Sequence, residues 1–126
     1  MSREGAKMSA LTGKILVLTT CDSEEEAARI AGRLIDERLA ACVEVTPRVR
    51  TMYRWKGEVE EAEEWALTIK TRGALYSQVE EMIHALHSYE TPEILAIPVA
   101  GGSQAYLDWV DAETSPVAGK TDDVIR

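Results

Sequence analysis

Apolar residues follow two different periods in the first third of the chain, which predicts a strand followed by a helix. The continuous apolar run at 15–18 is too short for a helix on its own, so it predicts a strand over 14–20 that is buried on both faces. Ser23 and Glu26 then have the spacing of a capping box at a helix start. The helix is predicted to end near Ala40 and to bury apolar residues at three- and four-residue spacing: Ala27, Ile30, Ala31, Leu34 and Ile35.

From position 42 onward the period changes to two, which is typical of β structure. The odd-numbered positions from Val43 to Trp55 are expected to share one face of a strand. Lys56-Gly57 predicts a turn, and alternation resumes at 65–70. The pattern therefore predicts an antiparallel hairpin whose arms run to about 15 residues, or on the order of 50 Å. Such a hairpin must either bend, with Pro47 as the candidate position, or project from the body of the protein.

Helical spacing returns after the hairpin and is followed by one more short strand. Apolar residues between 75 and 86 predict a second helix that ends at His87. Pro92 disfavours helix at the preceding residue and predicts a loop. The apolar run at 94–99 predicts a last strand, and Pro98 places that strand at a sheet edge because proline donates no ladder hydrogen bond.

The end of the chain predicts a short closing helix with Ser103 as its N-cap. The segments 1–13 and 116–126 lack a hydrophobic period and are predicted to be mobile tails. Residues 14–115 then form one domain with the order strand, helix, strand, strand, helix, strand and closing helix. This order is typical of a ferredoxin-like split βαβ sandwich of the α+β class.

The last strand bears on assembly, because it is apolar on both sides while the two helices cover only one face of the sheet. Either the closing helix covers the other face, or a neighbouring subunit does, in contact with the long hairpin. The second interpretation is the more economical one and predicts an oligomer.

Composition excludes several classes of function. The 126 residues are 45% hydrophobic and 29% charged, with 14 basic against 22 acidic residues and a net charge of −8. Such a chain is a poor match for nucleic-acid phosphates or an anionic membrane surface. No apolar run is long enough to span a membrane, no signal peptide is evident, and only two cysteines occur. These features predict a cytoplasmic protein with free thiols, and the absence of common catalytic motifs argues against an enzyme.

Six short motifs in the same order resemble the CutA family of divalent-cation tolerance proteins. The resemblance extends over 14–114, nearly all of the predicted domain. The motifs are Val17-Leu18-Thr19-Thr20-Cys21, Leu39-Ala40-Ala41-Cys42-Val43, Tyr53-Arg54-Trp55-Lys56-Gly57-Glu58, Ile69-Lys70-Thr71-Arg72, His87-Ser88-Tyr89-Glu90-Thr91-Pro92-Glu93-Ile94 and Tyr106-Leu107-Asp108-Trp109.

The resemblance implies a ferredoxin-like subunit in a tight homotrimer whose hairpins wrap neighbouring subunits. It also implies tolerance to copper and other divalent cations. An alternative is a trimeric small-molecule sensor or interaction module like the PII signalling proteins, which would use Lys70, Arg72 and the His87 loop in clefts between subunits. A third hypothesis, an enzyme that uses Cys42 or His87, has no supporting motif.

The side chains best suited to copper or zinc are Cys21, Cys42, His84 and His87. They have no chelating spacing, so folding must bring ligands together. In the predicted sheet the first and fourth strands are antiparallel neighbours, which places Cys21 and His87 at the same end, whereas Cys42 begins a strand at the opposite edge. We therefore predict weak, surface-accessible binding of Cu²⁺ or Zn²⁺ by His87, with Cys21 as an additional candidate, and no obligatory cofactor.

The remaining candidates each have a structural alternative. Cys21 is predicted to be exposed at a helix N-terminus that lowers its thiol pKa, and Cys42 is either a ligand or a small buried hydrophobe. Tyr89 and Glu90 flank His87 and are candidate members of a metal site. Lys70 and Arg72 are candidates for an anion site or for salt bridges to glutamates, and His84 is expected to face solvent on the polar side of its helix.

Overall fold

Four antiparallel strands and three helices make up residues 12–116, the part of the chain that the computed structural model describes. The elements are β1 (Lys14–Cys21), α1 (Glu24–Asp36), β2 (Cys42–Trp55), β3 (Glu58–Arg72), α2 (Tyr76–Leu86), β4 (Leu95–Pro98) and α3 (Gln104–Glu113). A single 3₁₀ turn, Gly73–Leu75, leads into α2. The strand order is β2-β3-β1-β4, which confirms the α+β, ferredoxin-like fold and the edge position of β4.

The hydrophobic core lies between one face of the sheet and the two helices α1 and α2. Val17 of β1 and Ile69 of β3 are directly paired and fully buried, and Ile30 and Ile83 bring the helices onto them. Leu16, on the opposite face of β1, is only partly buried. Within the single chain, β1 is therefore fully buried only on its core face, since the described helices α1 and α2 cover that face alone.

Helix α1 begins as predicted and ends earlier than predicted. The Ser23 hydroxyl accepts a hydrogen bond from the Glu26 N–H at 3.1 Å, which confirms the N-cap. The helix ends at Asp36 and not near Ala40, because Arg38 takes a left-handed conformation with φ 58°. The reversed chain direction carries Leu39 and Ala40 into the core, where both are buried.

The hairpin of β2 and β3 has arms of 14 and 15 residues, as predicted, but its two ends do not share one face. The register changes from Thr46 opposite Ala66 to Val49 opposite Glu64, so β2 carries one extra residue in a β-bulge. The bulge contains Pro47, the position where a bend was expected, and Arg48, which has a φ of 60°.

Because of this extra residue, the odd-numbered positions in the outer half of β2 lie on the opposite face of the sheet from those in its inner half. Val43 lies opposite Ile69 on the core face, whereas Tyr53 lies opposite Glu60 on the other face, because directly opposed residues of an antiparallel pair point the same way. The prediction that odd-numbered positions from 43 to 55 share a face is wrong. A single inserted residue in a strand with a period of two exchanges the two faces.

Hydrogen bonds connect helix α3 to the end of β3, and an ion pair connects it to β1. The Arg72 guanidinium donates to the Thr114 hydroxyl at 2.8 Å and to the Thr114 carbonyl at 2.9 Å. Lys14 Nζ lies 3.1 Å from an Asp111 carboxylate oxygen. Ser103 accepts from the Tyr106 N–H at 3.5 Å, in agreement with its predicted N-cap position.

The two predicted mobile tails fall mainly outside the described residues, so that prediction stays a prediction. At the start of the described part, Thr12 donates to the Val99 carbonyl and Gly13 accepts from the Gly73 N–H at 2.8 Å. Among the helices within 12–116, none has the length and apolar character needed to cross a bilayer.

The bulge generates a prediction about two arginines of β2 that both form exposed ion pairs. Arg48 has a positive φ, whereas Arg50 has no positive φ. Arg48 pairs with Glu63 and Arg50 pairs with Glu61. Because glycine accepts positive φ without strain, Arg48→Gly should leave the free energy of unfolding unchanged or raise it by up to ~1 kcal/mol. Arg50→Gly should lower it by about 1 kcal/mol. Urea unfolding measures both, and equal losses would contradict the bulge geometry.

Candidate functional site

Three side chains with metal-binding groups converge at the end of β1. The Cys21 thiol, the Glu26 carboxylate and the His87 imidazole each contribute an atom within 4.8 Å of the other two. Cys21 is the last residue of β1, Glu26 belongs to the first turn of α1, and His87 is the residue that follows α2. We call these three residues the Cys–Glu–His cluster. The predicted approach of Cys21 and His87 is confirmed.

The Cys–Glu–His cluster is buried, in contrast to the surface-accessible site that the sequence predicts. Cys21 has no exposed surface and Glu26 is 6% exposed, while the His87 side chain is 0% exposed. Cys21 is buried because it lies on the core face of the sheet, opposite Trp65. A cation therefore reaches this cluster only after a local displacement of the surrounding chain.

Sequence reasoning missed Glu26 as a member of the cluster, because the capping-box pattern gave it another role. Its N–H bonds to Ser23 as expected, but its carboxylate accepts from the Ser88 N–H at 3.3 Å and lies 3.2 Å from His87 Nδ1. A signal was present in the sequence, since Glu26 precedes Ile30 by four residues and so falls on the buried stripe of α1.

Hydrogen bonds to the backbone fix the tautomer of His87. Nε2 lies 2.6 Å from the Thr20 carbonyl oxygen, so Nε2 carries the proton. Nδ1 is then the acceptor and receives the Tyr89 N–H at 3.1 Å. Nδ1 also lies 3.2 Å from a Glu26 oxygen, and two acceptors at that distance repel each other unless a proton or a cation lies between them.

The environment of Cys21 favours the neutral thiol. Burial, and next the charge and hydrogen-bond acceptance of Glu26, raise the thiol pKa from 9.0 to about 12, with smaller contributions from Asp22 and Glu64. The prediction of an exposed thiol with a lowered pKa is wrong. The positive end of α1 is outweighed here by desolvation and by nearby carboxylates.

The other cysteine and the other histidine lie away from the cluster. Cys42 is directly opposite Lys70 on the sheet face turned away from α1 and α2, whereas Cys21 lies on the core face. Cys42 is half-buried and is a free thiol. His84 is exposed on α2 and lies 3.6 Å from Glu80, as expected from its position on the polar side of the helix.

Lys70 and Arg72, the predicted cleft cations, have partners within their own chain. Lys70 Nζ lies 3.2 Å from a Glu44 oxygen and 5.6 Å from the centroid of the Tyr106 ring. Arg72 binds Thr114, as described above. Of the two alternatives for Lys70, the salt bridge to a glutamate is the one observed.

Tyr89 and Glu90 line a cavity of about 400 Å³ next to the Cys–Glu–His cluster. The Tyr89 hydroxyl donates to one oxygen of Glu64 at 2.8 Å, and the Thr51 hydroxyl donates to the other at 2.7 Å. Burial and the bond to Glu64 raise the pKa of Tyr89. We call the space that these residues line the Glu64 cavity. Its lining residues are Thr20, Thr51, Met52, Tyr53, Trp55, Glu64, Tyr89, Glu90, Thr91 and Glu93.

Comparison with known proteins relates most of the chain to one family. The family model described as "CutA1 divalent ion tolerance protein" matches residues 15–113. The divalent-cation tolerance protein CutA of Thermus thermophilus is 46% identical over 99 residues, which cover 79% of this chain and 96% of that protein. The solved structure of the periplasmic divalent cation tolerance protein CutA from Archaeoglobus fulgidus is 40% identical, with a TM-score of 0.79 over 81% of this chain and 99% of that one.

The buried thiol generates a prediction about stability in alkaline solution. Below pH 9.0, the ordinary thiol pKa, folded and unfolded chains both keep the Cys21 proton. Above it the unfolded chain loses that proton while the folded chain holds it up to about pH 12, so the free energy of unfolding falls. Between about pH 8 and pH 10.5 the unmodified protein should lose about 2 kcal/mol more than Cys21→Ser, as measured by urea unfolding.

Cys42→Ser is the matched control for this measurement and should follow the unmodified protein. If Cys21→Ser also followed the unmodified protein across the same range, the thiol would not have the raised pKa that its burial implies.

Proposed function

The chain belongs to the family of CutA1 divalent ion tolerance proteins, and we propose that it acts as a homotrimer that binds copper or a similar divalent cation at the Cys–Glu–His cluster. The observation that carries this proposal is the convergence of a thiol, a carboxylate and an imidazole within 4.8 Å. No element of the proposal requires an obligatory cofactor.

The donor set fits a borderline or soft cation better than Mg²⁺ or Ca²⁺. Imidazole and thiolate are ligands of copper and zinc, whereas the harder cations prefer oxygen alone. The hydrogen bond from His87 Nε2 to the Thr20 carbonyl supports metal binding through Nδ1, because ligating histidines commonly fix their second nitrogen in this way. A cation at Nδ1 replaces the bond from the Tyr89 N–H and relieves the repulsion with Glu26.

Binding at this cluster should be weak, because the cation displaces a proton. The raised thiol pKa means that the free energy of deprotonating Cys21 is subtracted from the free energy of metal coordination. Three protein ligands also leave a coordination position for water or another ligand. Weak binding and an open coordination position are more typical of a protein that responds to excess metal than of a protein with a closed structural metal site.

Support for the trimer comes from apolar side chains that α1 and α2 do not cover. On the face turned away from those helices, Leu16 and Leu18 of β1 pair with Ile97 and Leu95 of β4. Leu95 is 56% exposed and Ile97 is 45% exposed. This apolar surface is continuous across two strands, as is typical of subunit interfaces.

The hairpin supplies a second exposed surface. Tyr53 and Trp55 are about half exposed near its end, and large aromatic residues are enriched at protein interfaces. A neighbouring subunit is the proposed cover for the apolar surface of β1 and β4, and for the part of these rings that does not line the cavity beside Glu64.

The PII-like alternative, a small-molecule sensor or interaction module, has less support, because Lys70 and Arg72 are engaged by Glu44 and Thr114 of the same chain. We also propose that the protein is not an enzyme. Cys21 and His87 do meet, but a thiol with so high a pKa supplies little nucleophilic thiolate at neutral pH.

We place the protein in the cytoplasm on the basis of its thiols, which lie on opposite faces of the sheet and so do not pair within the chain. Relatives differ in this respect. The Archaeoglobus fulgidus protein is described as periplasmic and the Arabidopsis thaliana protein as chloroplastic.

Metal binding is tested by calorimetry on protein freed of metal by chelation, with Zn²⁺ and Cu²⁺ as the probes. Cys21→Ser, Glu26→Gln and His87→Gln should each lower the affinity about tenfold or more, the scale of ~1.4 kcal/mol for one good ligand. Circular dichroism of each variant establishes that it is folded.

Cys42→Ser and His84→Gln provide controls of the same residue types away from the cluster, and both should leave the affinity unchanged. Unchanged affinity in all three cluster variants, with binding still present, would place the metal elsewhere and contradict the proposed site.

The trimer is tested by light scattering. We expect a mass about three times that of the chain, and we expect Ile97→Glu to reduce it because the carboxylate would have to be buried in the interface. Ala28→Glu, on the exposed side of α1, should leave the mass unchanged. A single-chain mass for the unmodified protein at micromolar concentration would overturn the proposed assembly.

A further inference from the structure

The Glu64 cavity combines negative charge with aromatic surface. Its carboxylates are Glu64, Glu90 and Glu93, and among residues 12–116 no Lys or Arg side chain lines it. The lining also includes three aromatic rings: Tyr53, Trp55 and Tyr89. The β-bulge is what brings Tyr53 and Trp55 to this side of the sheet, since they share the face of the even-numbered residues of β3.

Glu64 is the residue at which the charge is least screened. It is 6% exposed, and both of its oxygens accept hydrogen bonds, from Thr51 at 2.7 Å and from Tyr89 at 2.8 Å. Within residues 12–116, no Lys, Arg or His side chain forms an ion pair with it, although other glutamates of β3 do have such partners.

A buried carboxylate without a counter-ion is costly, and the cost falls when a cation approaches. Two hydroxyl donors leave further lone pairs on the carboxylate, which has about four acceptor positions. The exposed Glu90 and Glu93 add negative potential where a cation would enter. The electrostatics of the cavity therefore favour a positively charged occupant.

We propose that the Glu64 cavity binds a small organic ammonium cation with an apolar or aromatic body. The carboxylate of Glu64 accepts from the ammonium group, and the rings of Tyr53, Trp55 and Tyr89 contact its positive charge and its carbon atoms. The volume of about 400 Å³ lies in the range of small-molecule sites. A divalent metal fits less well, because aromatic rings do not replace its shell of oxygen ligands.

This site is separate from the Cys–Glu–His cluster and does not depend on metal binding. The two sites share no metal-ligating side chain. They meet at Tyr89, whose N–H binds His87 Nδ1 and whose hydroxyl binds Glu64. Binding of the organic cation is therefore best tested with chelator-treated protein. A negative result for metal binding at the cluster then leaves the proposal for the cavity open, and the reverse also holds.

The probes are phenethylamine, which is cationic at neutral pH, and 2-phenylethanol, its uncharged counterpart of nearly the same shape. Calorimetry on the chelator-treated, full-length protein should show at least tenfold tighter binding of the amine than of the alcohol. Equal affinities, or no binding of the amine, would overturn the proposal.

Substitutions then locate the site. Glu64→Gln should reduce amine affinity about tenfold and leave alcohol affinity unchanged, because glutamine keeps the shape and removes the charge. Glu93→Gln, at an exposed position of the lining, should reduce amine affinity several-fold. Glu81→Gln, an exposed glutamate of α2 outside the cavity, is the control and should have no effect.

A basic side chain of a second copy could also supply the positive charge in the cavity. A further variant distinguishes this occupant from a small amine. Arg54 lies near the end of the hairpin. If the unmodified protein did not bind the amine and Arg54→Ala did, the cavity would be filled by a neighbouring hairpin and the proposal of a small ligand would be wrong. Binding by the unmodified protein together with loss in Glu64→Gln supports it.

Discussion

The buried carboxylate of Glu26 is the constraint on which the rest of this site depends. A carboxylate that is 6% exposed must be hydrogen-bonded or paired. The Ser88 N–H donates to the Glu26 carboxylate, and the His87 ring lies 3.2 Å from it. Both belong to the segment between α2 and β4. The first turn of α1 thereby fixes where that segment begins, and the bond from His87 to the Thr20 carbonyl fixes it to β1 as well.

That placement has a consequence for Tyr89, two residues further along. With His87 held, the Tyr89 N–H reaches Nδ1 and the hydroxyl reaches Glu64 of β3. The bulge at Pro47 and Arg48 brings Thr51 to the same carboxylate. Two acidic groups, one from a helix and one from a strand, thus organise adjoining sites of different chemistry, a thiol–imidazole cluster and an aromatic cavity.

Much of the fold was predictable because local patterns agreed with one another. The periods around α1 and the hairpin, the cap at Ser23 and the proline at position 98 together determined the element order and the edge position of β4. The approach of Cys21 and His87 also followed from sequence, because antiparallel neighbouring strands place the end of one beside the start of the other. These properties depend on residue type, spacing and topology alone.

The tertiary structure decided burial, partners and the face of each hairpin residue. Glu26 has the sequence pattern of a capping residue, and only the arrival of the His87 segment makes it part of a cluster. Cys21 has the position of an activated thiol, but packing of α1 and α2 against β1 removes it from water and raises its pKa. Tyr53 continues the alternation of Val43 in sequence, yet one bulged residue places it on the opposite face. Desolvation and strand register depend on contacts between segments far apart in the chain, so no local pattern contains them.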